Sequence, residues 1–306
     1  MPPARAPLRV AIAGATGFLG SALRDHLTAE GHDAVPLTRR IEGAGKDAIH
    51  WDPARDELHP RALDGFDAVV NLAGENIAQR WTDDAKRRIL ESRERATGLL
   101  ARTIAAMERP PRMLLNASAI GIYGDRGAAA LDESSPAGSG FLPDVVRAWE
   151  RATEPAQRGD VRIVFLRTGL VLDQTGGALQ KMLTPFRMGL GGRIGSGEQI
   201  MSWISLRDWV RAVEFLLGHG QVSGPVNLVA SNPVSNADFT RALGHALGRP
   251  TLIPIPEAGV RLAFGEMGEA TLLASQRVLP QKLLDYGFTF EHPSIEQALR
   301  SALGST

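Results

Sequence analysis

The chain contains no cysteine. That excludes disulfides, thiolate nucleophiles, iron–sulfur clusters and cysteine-based zinc sites in one step. It also gives no reason to assign the chain to an oxidising compartment. A surplus of one charge is missing too, because 34 Lys+Arg residues balance 34 Asp+Glu. Proteins that grip nucleic acid through its phosphates are normally basic, so nucleic acid is not an expected partner. No apolar run approaches the roughly 18 residues a membrane helix needs. The apolar stretch near the start, Val10–Ala15, is too short for a signal peptide. We therefore expect a cytoplasmic chain with a loose, proline-rich tail and no membrane contact. Lysine and tyrosine are scarce: Lys46, Lys86, Lys181 and Lys282, with Tyr123 and Tyr286, are all there are. The seven histidines show no metal-ligand spacing, so no metal site is expected.

What is present is a chain of 306 residues, enough for one large or two modest domains. Its first half alternates short apolar runs with longer amphipathic stretches, the pattern of βαβ units on a parallel sheet. Strands are expected at 8–13, 33–37, 68–72, 113–117 and 161–168. Helices are expected at 19–30, 82–107 and 141–157. Beyond residue 170 glycine and proline become frequent through 176–197, so that stretch reads as a loop-rich insertion with short helices. Further helices are expected at 206–217, opened by Ser205, and at 236–247, capped by Ser235 or Asn236. Three more follow at 257–273, 276–284 and 294–303, with a short strand at 225–229. The expected architecture is α/β: a Rossmann-type doubly wound parallel sheet with a smaller, α-rich C-terminal lobe. Residues 1–170 would form the nucleotide-binding domain, with contributions from about 200–230. Residues 171–306 would supply mainly the substrate lobe.

The most informative segment runs from Leu8 to Gly20 and ends Gly14-Ala15-Thr16-Gly17-Phe18-Leu19-Gly20. Here a glycine-rich turn joins an apolar strand to an amphipathic helix. Gly14 permits the tight turn, Gly17 lets backbone approach a pyrophosphate, and Gly20 lets the helix pack close to the sheet. The phosphates would sit on free N–H groups at the helix N-terminus, where the macrodipole favours negative charge. Thr16, Phe18 and Leu19 belong to the same cradle. About 20 residues on, an NAD site usually shows an acid for the ribose hydroxyls. Here the strand ends Thr38-Arg39-Arg40 instead. A guanidinium suits a 2′-phosphate, so NADP(H) is favoured over NAD(H), with Arg39 preferred to Arg40 as the ligand.

GATGFLG at Gly14–Gly20 and NLAG at Asn71–Gly74 resemble the extended short-chain dehydrogenase/reductase superfamily, which includes sugar-nucleotide epimerases and dehydratases. More specifically, the chain is similar to the NAD-dependent epimerase/dehydratase-like family with a C-terminal extension of unknown function. NLAGENI (71–77), RW (80–81), SAIGIYG (118–124), RTGLVL (167–172), GLGGRIGSGEQIMSWI (189–204) with Asp208, GPVNL (224–228) and LPQKLLDYGFTF (279–290) carry the match. The resemblance implies that Leu72, Ala73 and Gly74 lie along the adenosine and ribose side of the cofactor. It also implies that Ser118 takes the superfamily's catalytic serine position and that Arg167 lies near the cleft. The segment from Trp203 to Asp208 would return the chain from the substrate lobe to the sheet.

The superfamily's chemistry rests on Tyr-x-x-x-Lys on one helix, a spacing that puts both groups on the same face. That pair is absent. Four residues after Tyr123 and Tyr286 stand Gly127 and Phe290. The helix that should carry the pair offers Phe141 or Leu142 for the tyrosine and Val145 or Val146 for the lysine. Ser118 and Tyr123 remain as candidate catalytic residues. Glu75 is a candidate acid or base if buried. Glu75, Asn76, Arg80, Trp81, Arg193 and Trp203 are candidate pocket residues, with Arg193 either meeting an anionic substrate or facing solvent. Two readings stay open. One is an NADP(H)-dependent oxidoreductase or epimerase-like enzyme of unknown small-molecule substrate. The other is a non-catalytic NADP(H)-binding sensor or regulator that acts through a protein partner. A homodimer is compatible with either.

Overall fold

Seven segments pair as parallel strands: β1 (Arg9–Ala13), β2 (Asp33–Thr38), β3 (Ile49–His50), β4 (Ala68–Asn71), β5 (Met113–Ala119), β6 (Arg162–Thr168) and β7 (Gly224–Leu228). The computed structural model describes residues 6–40 and 48–304; Arg5 and Lys46 lie outside the described residues. The sheet order is β7-β6-β5-β4-β1-β2-β3. Because the order reverses beside β1, the loops leaving β1 and β4 diverge and open a crevice at the C-terminal edge, where sheets of this kind bind ligands.

Helices cover both faces. α1 (Phe18–Ala29) and α5 (Leu206–Gly218) pack on one face, with Leu23, Leu27, Trp209 and Val213 in the shared core. α2 (Asp83–Ala105) and α3 (Phe141–Arg151) lie on the other. Leu99, Leu100 and Ile104 of α2 meet Val69 and Leu114 of the sheet there. Trp203 joins α4 (Gly177–Arg187), α6 (Asn236–Leu247) and α9 (Ile295–Leu303) in a separate C-terminal core. Side-chain caps start four of the helices, those at Ser205 and Ser235 as the sequence predicts. Thr82, Ser205, Ser235 and Ser294 each accept from the N3 amide, and Ser294 forms a capping box with Gln297.

Three expected helices are corrected. The one expected over 257–273 is helical but broken: α7 (Glu257–Phe264) stops at Gly265, whose φ is +59°, and a short α turn at Glu266–Gly268 and a π turn at Glu269–Leu273 complete the span. The one expected over 276–284 opens instead as a strand. Arg277–Val278 pairs with Ala130–Leu131, and only beyond Pro280 does α8 (Gln281–Asp285) begin. α3 stops at Arg151, and a 3₁₀ turn at Glu154–Arg158 follows in place of its expected last turns. Pro155 in that turn has no N–H to extend the α ladder.

Candidate functional site

The turn after β1 is built for close backbone approach. Gly14 has φ +78°, and a Cβ there would lie 2.9 Å from the carbonyl of Leu72 on the neighbouring loop. A Cβ on Gly20 would lie 2.1 Å from Gly14 O, so α1 packs against its own turn only because residue 20 lacks a side chain. Gly17 is different: its Cβ would meet only Gly14 O, at 3.3 Å, and the residue is exposed. Gly17 caps α1 without a side-chain bond, and the first intrahelical contact is Ser21 N to Gly17 O. The amides of Phe18, Leu19 and Gly20 therefore have no acceptor among the described residues, as expected for a first helical turn. This cradle fits a pyrophosphate. Thr16 is exposed beside it.

At the exit of β2, Thr38 Oγ1 receives the Arg40 amide, which shapes the turn. Arg39 and Arg40 are exposed, and neither side chain bonds to a described residue. Among the described residues no carboxylate stands at this strand end. Across the crevice, buried Asn71 donates to Thr97 Oγ1 and Asn116 Oδ1 and accepts from the Ala73 amide. This fixes the Leu72-Ala73-Gly74 turn against Gly14.

Deeper along the same edge lies a buried polar chain. The register sets Ser118 of β5 beside Arg167 of β6. Both reach one α3 carboxylate: Ser118 Oγ donates to Glu150 Oε1 at 2.6 Å, and Arg167 takes Glu150 with Nε and Nη2 at 2.9 and 3.0 Å. Arg167 Nη1 donates to the Tyr123 hydroxyl, which donates to Asn227 Oδ1 at 2.8 Å. The Asn227 amide donates to Glu133, as does the Lys282 amide. Burial would lower the Arg167 pKa, but the hydrogen bonds and charge of Glu150 outweigh it and hold the guanidinium above its ordinary value. Burial pushes the Tyr123 phenol up, with Arg167 partly offsetting it. Burial also raises Glu133, partly offset by the Asn227 and Lys282 amides and the Lys282 charge.

The Glu133 shift gives a signed prediction. A carboxyl raised in the native state binds its proton more tightly folded than unfolded. Its contribution is therefore fully present below the ordinary value of 4.5 and is lost as pH rises through the raised one. Glu133→Gln is expected to gain stability relative to the native chain as pH rises from about 4 to 7, measured by urea unfolding. The opposite slope would show that Glu133 is favoured as a carboxylate.

The other expected site residues make the following contacts. Each of the three Arg167 nitrogens donates to Glu150 or Tyr123. Tyr123 is fully buried with its hydroxyl committed on both sides, which leaves no proton to offer a ligand. Trp203 is fully buried and donates to Asn232 O, so it is core rather than pocket wall. Trp81 is buried edge-on to Phe141 and donates to Ile77 O. Glu75 is not buried: its side chain keeps 37% exposure and faces Arg88 and Gln79. Arg193 bends back onto Gly195 O and Ser196 O of its own loop. Asn76 Oδ1 accepts from the Ala78 amide, and Arg80 is exposed, its side chain without a hydrogen bond or ion pair among the described residues. Ser118 is buried but keeps acceptor capacity.

The positions that should carry the proton-transfer pair are apolar in space as well as in sequence. Val146 packs with Ile120, Ile122, Tyr123 and Val229. Val145 packs with Trp81, Ile89 and Met267, and Phe141 and Leu142 lie against that cluster. Among the described residues no group of His, Asp and Glu is arranged to hold a metal, and no helix is long and apolar enough to cross a membrane.

Comparison with known proteins agrees with this geometry. The NAD dependent epimerase/dehydratase family model matches residues 10–228, and a domain of unknown function, DUF1731, matches 255–302. The chain belongs to the NAD-dependent epimerase/dehydratase family. It is 46% identical over 291 residues to the epimerase family protein Mb2239 of Mycobacterium bovis, covering 95% of this chain and 96% of that one. The human epimerase family protein SDR39U1 is 40% identical over 298 residues, with 96% and 99% covered. A crystal structure of human SDR39U1 (isoform2) with NADPH superposes with a TM-score of 0.90 at 36% identity, covering 98% of this chain and all of that one. A nucleoside-diphosphate sugar epimerase from Corynebacterium glutamicum gives 0.82 at 36% identity, covering 98% of this chain and 59% of that longer one. This epimerase-family chain is thus an NAD(P)-binding protein with a Rossmann fold. Glu150, Asn227 and Glu133 are the site's unforeseen members; Asn227 lies in the GPVNL motif, while no motif named above contains Glu150 or Glu133.

Proposed function

We propose that this epimerase-family protein is an NADP(H)-dependent oxidoreductase or epimerase-like enzyme acting on a small molecule without a Tyr-x-x-x-Lys relay. The observation that carries the cofactor choice is Arg39. It stands at the end of β2 with no acid nearby and no partner among the described residues. A bidentate guanidinium there suits a 2′-phosphate. The human relative crystallised with NADPH supports the same choice. Bound NADP(H) would supply hydride transfer at the crevice. The chain's part is to seat the pyrophosphate on the Phe18–Gly20 amides, hold the Leu72–Gly74 turn, and present Ser118 Oγ as an acceptor beside Glu150. A cytoplasmic setting belongs to the same proposal.

The regulatory reading rests on one observation. The C-terminal extension exposes Leu252, Ile253, Leu262 and Phe264, with Leu252 87% and Leu262 81% accessible. Apolar exposure on that scale suits a protein partner. Nicotinamide absorbance decides between the two, using NADPH with a panel of nucleotide sugars, aldehydes and ketones. Turnover that survives Tyr123→Phe is expected, since that hydroxyl is committed inside the fold. NADPH binding with no turnover across the panel would favour the regulator.

A further inference from the structure

Two buried arginines stand near the crevice, and they are built alike except at one edge. Arg167 gives Nη1 to a neutral oxygen and closes its Nε/Nη2 edge on the Glu150 carboxylate. Arg93 of α2 gives Nη1 to two neutral oxygens, Glu75 O and Ile89 O, each at 3.0 Å. Its Nε and Nη2 donate to no described residue, although the residue is only 9% exposed. The Nε/Nη2 edge is the fork that matches a carboxylate, two parallel N–H bonds in one plane. In Arg93 that fork has no carboxylate among the described residues within ion-pair reach.

The surroundings hold this fork in place. The Arg93 guanidinium stacks on the Trp149 indole at 4.8 Å. On another side it meets Gly74, where a Cβ would lie 3.3 Å from its Cζ. Gly74 belongs to the crevice turn after β4, and Trp149 directly precedes Glu150. The nearest acid that acts on Arg93 is Glu75, whose carboxylate is turned to Arg88 and Gln79. Burial outweighs the Glu75 charge and lowers the Arg93 pKa to about 10, the sign of an under-compensated buried cation. Beside it, Trp149 Nε1 is the only buried side-chain donor among the described residues with no partner. The Arg93 fork therefore still reaches solvent, while the indole N–H beside it is sealed and unpaired, a cost that falls if a ligand bound at the fork reorders the pair.

We propose that Arg93 is the substrate-binding residue of the crevice and that its open fork takes a carboxylate of the substrate. This deepens the enzyme reading above by giving the substrate its chemical class. The contact is one of binding and orientation, with no bond made or broken at Arg93.

The test follows the Trp149 indole N–H resonance in protein with ¹⁵N-labelled tryptophan, assigned through Trp149→Phe. Propionate, inorganic phosphate and chloride are titrated at matched ionic strength. Propionate is expected to shift the resonance saturably, with chloride inert. Arg93→Lys keeps the charge but loses the fork, and should weaken the response at least about tenfold. Arg93→Met should abolish it; should that variant fail to fold, the lysine variant still decides. No propionate response, a response to phosphate alone, or equal responses in the native chain and Arg93→Lys would each overturn the proposal. NADPH titrations of the same native sample separate the two readings. Propionate binding without NADPH binding would refute the cofactor assignment and leave the fork standing, and NADPH binding without propionate binding would do the reverse.

Discussion

Glu150→Ala is expected to destabilise the fold by about 3–5 kcal/mol, the usual cost of removing one partner from a buried ion pair. The side chains of Glu150 and Arg167 keep only 14% and 9% of their surface, so water cannot replace the lost carboxylate. Ser118 Oγ loses its acceptor in the same step. The double variant Glu150→Leu/Arg167→Met removes both charges and should recover much of the loss, because apolar groups of similar volume commonly replace a buried pair without penalty. Urea unfolding of the native chain, the single variant and the double variant measures this. Equal losses in the single and double variants would mean that the pair is not the structural unit described here.

Gly20→Ala carries the second large effect. Its added methyl would lie 2.1 Å from Gly14 O and 2.8 Å from the Ala15 Cα, both backbone and neither able to rotate away. Either the turn opens or α1 shifts off the sheet. Overpacking of this kind costs about 1–3 kcal/mol, and the displaced Phe18–Gly20 amides should no longer hold a pyrophosphate. Gly17→Ala is the informative partner. Its methyl finds only Gly14 O at 3.3 Å, so the fold should survive while NADPH affinity falls. Thermal unfolding and NADPH calorimetry on the two variants separate the roles. A Gly17→Ala protein with native NADPH affinity would move the pyrophosphate away from this turn.

The fold was legible in the sequence where residues answer to local rules. The Gly14–Gly20 turn is one case, since Gly14 needs its positive φ and Gly20 its close approach to the Gly14 carbonyl. The caps at Ser205, Ser235 and Ser294 are others, because a hydroxyl and an amide three residues on suffice to start a helix. What depends on distant partners was not legible. Arg277–Val278 is a strand only because Ala130–Leu131 lies open to pair with it. Glu150 meets Ser118 and Arg167 only through the β5–β6 register, and neither partner is near it in sequence. Trp81 and Trp203 are themselves motif residues, yet their large apolar surfaces sink into cores. Their indole nitrogens are satisfied by Ile77 and Asn232 carbonyls. Arg93 shows the same limit from the other side, because its missing carboxylate is visible only once its neighbours are known.

The central claim is an NADP(H) site made by the glycine turn and read at the 2′-phosphate by Arg39. Calorimetry with NADPH and NADH on the native chain and on Arg39→Ala tests it most directly. The account predicts that NADPH binds more tightly than NADH. Arg39→Ala should then weaken NADPH by about 10- to 100-fold, the worth of a charge-assisted contact, and leave NADH nearly unchanged. Equal affinity for the two nucleotides, or equal loss of both in the variant, would contradict it.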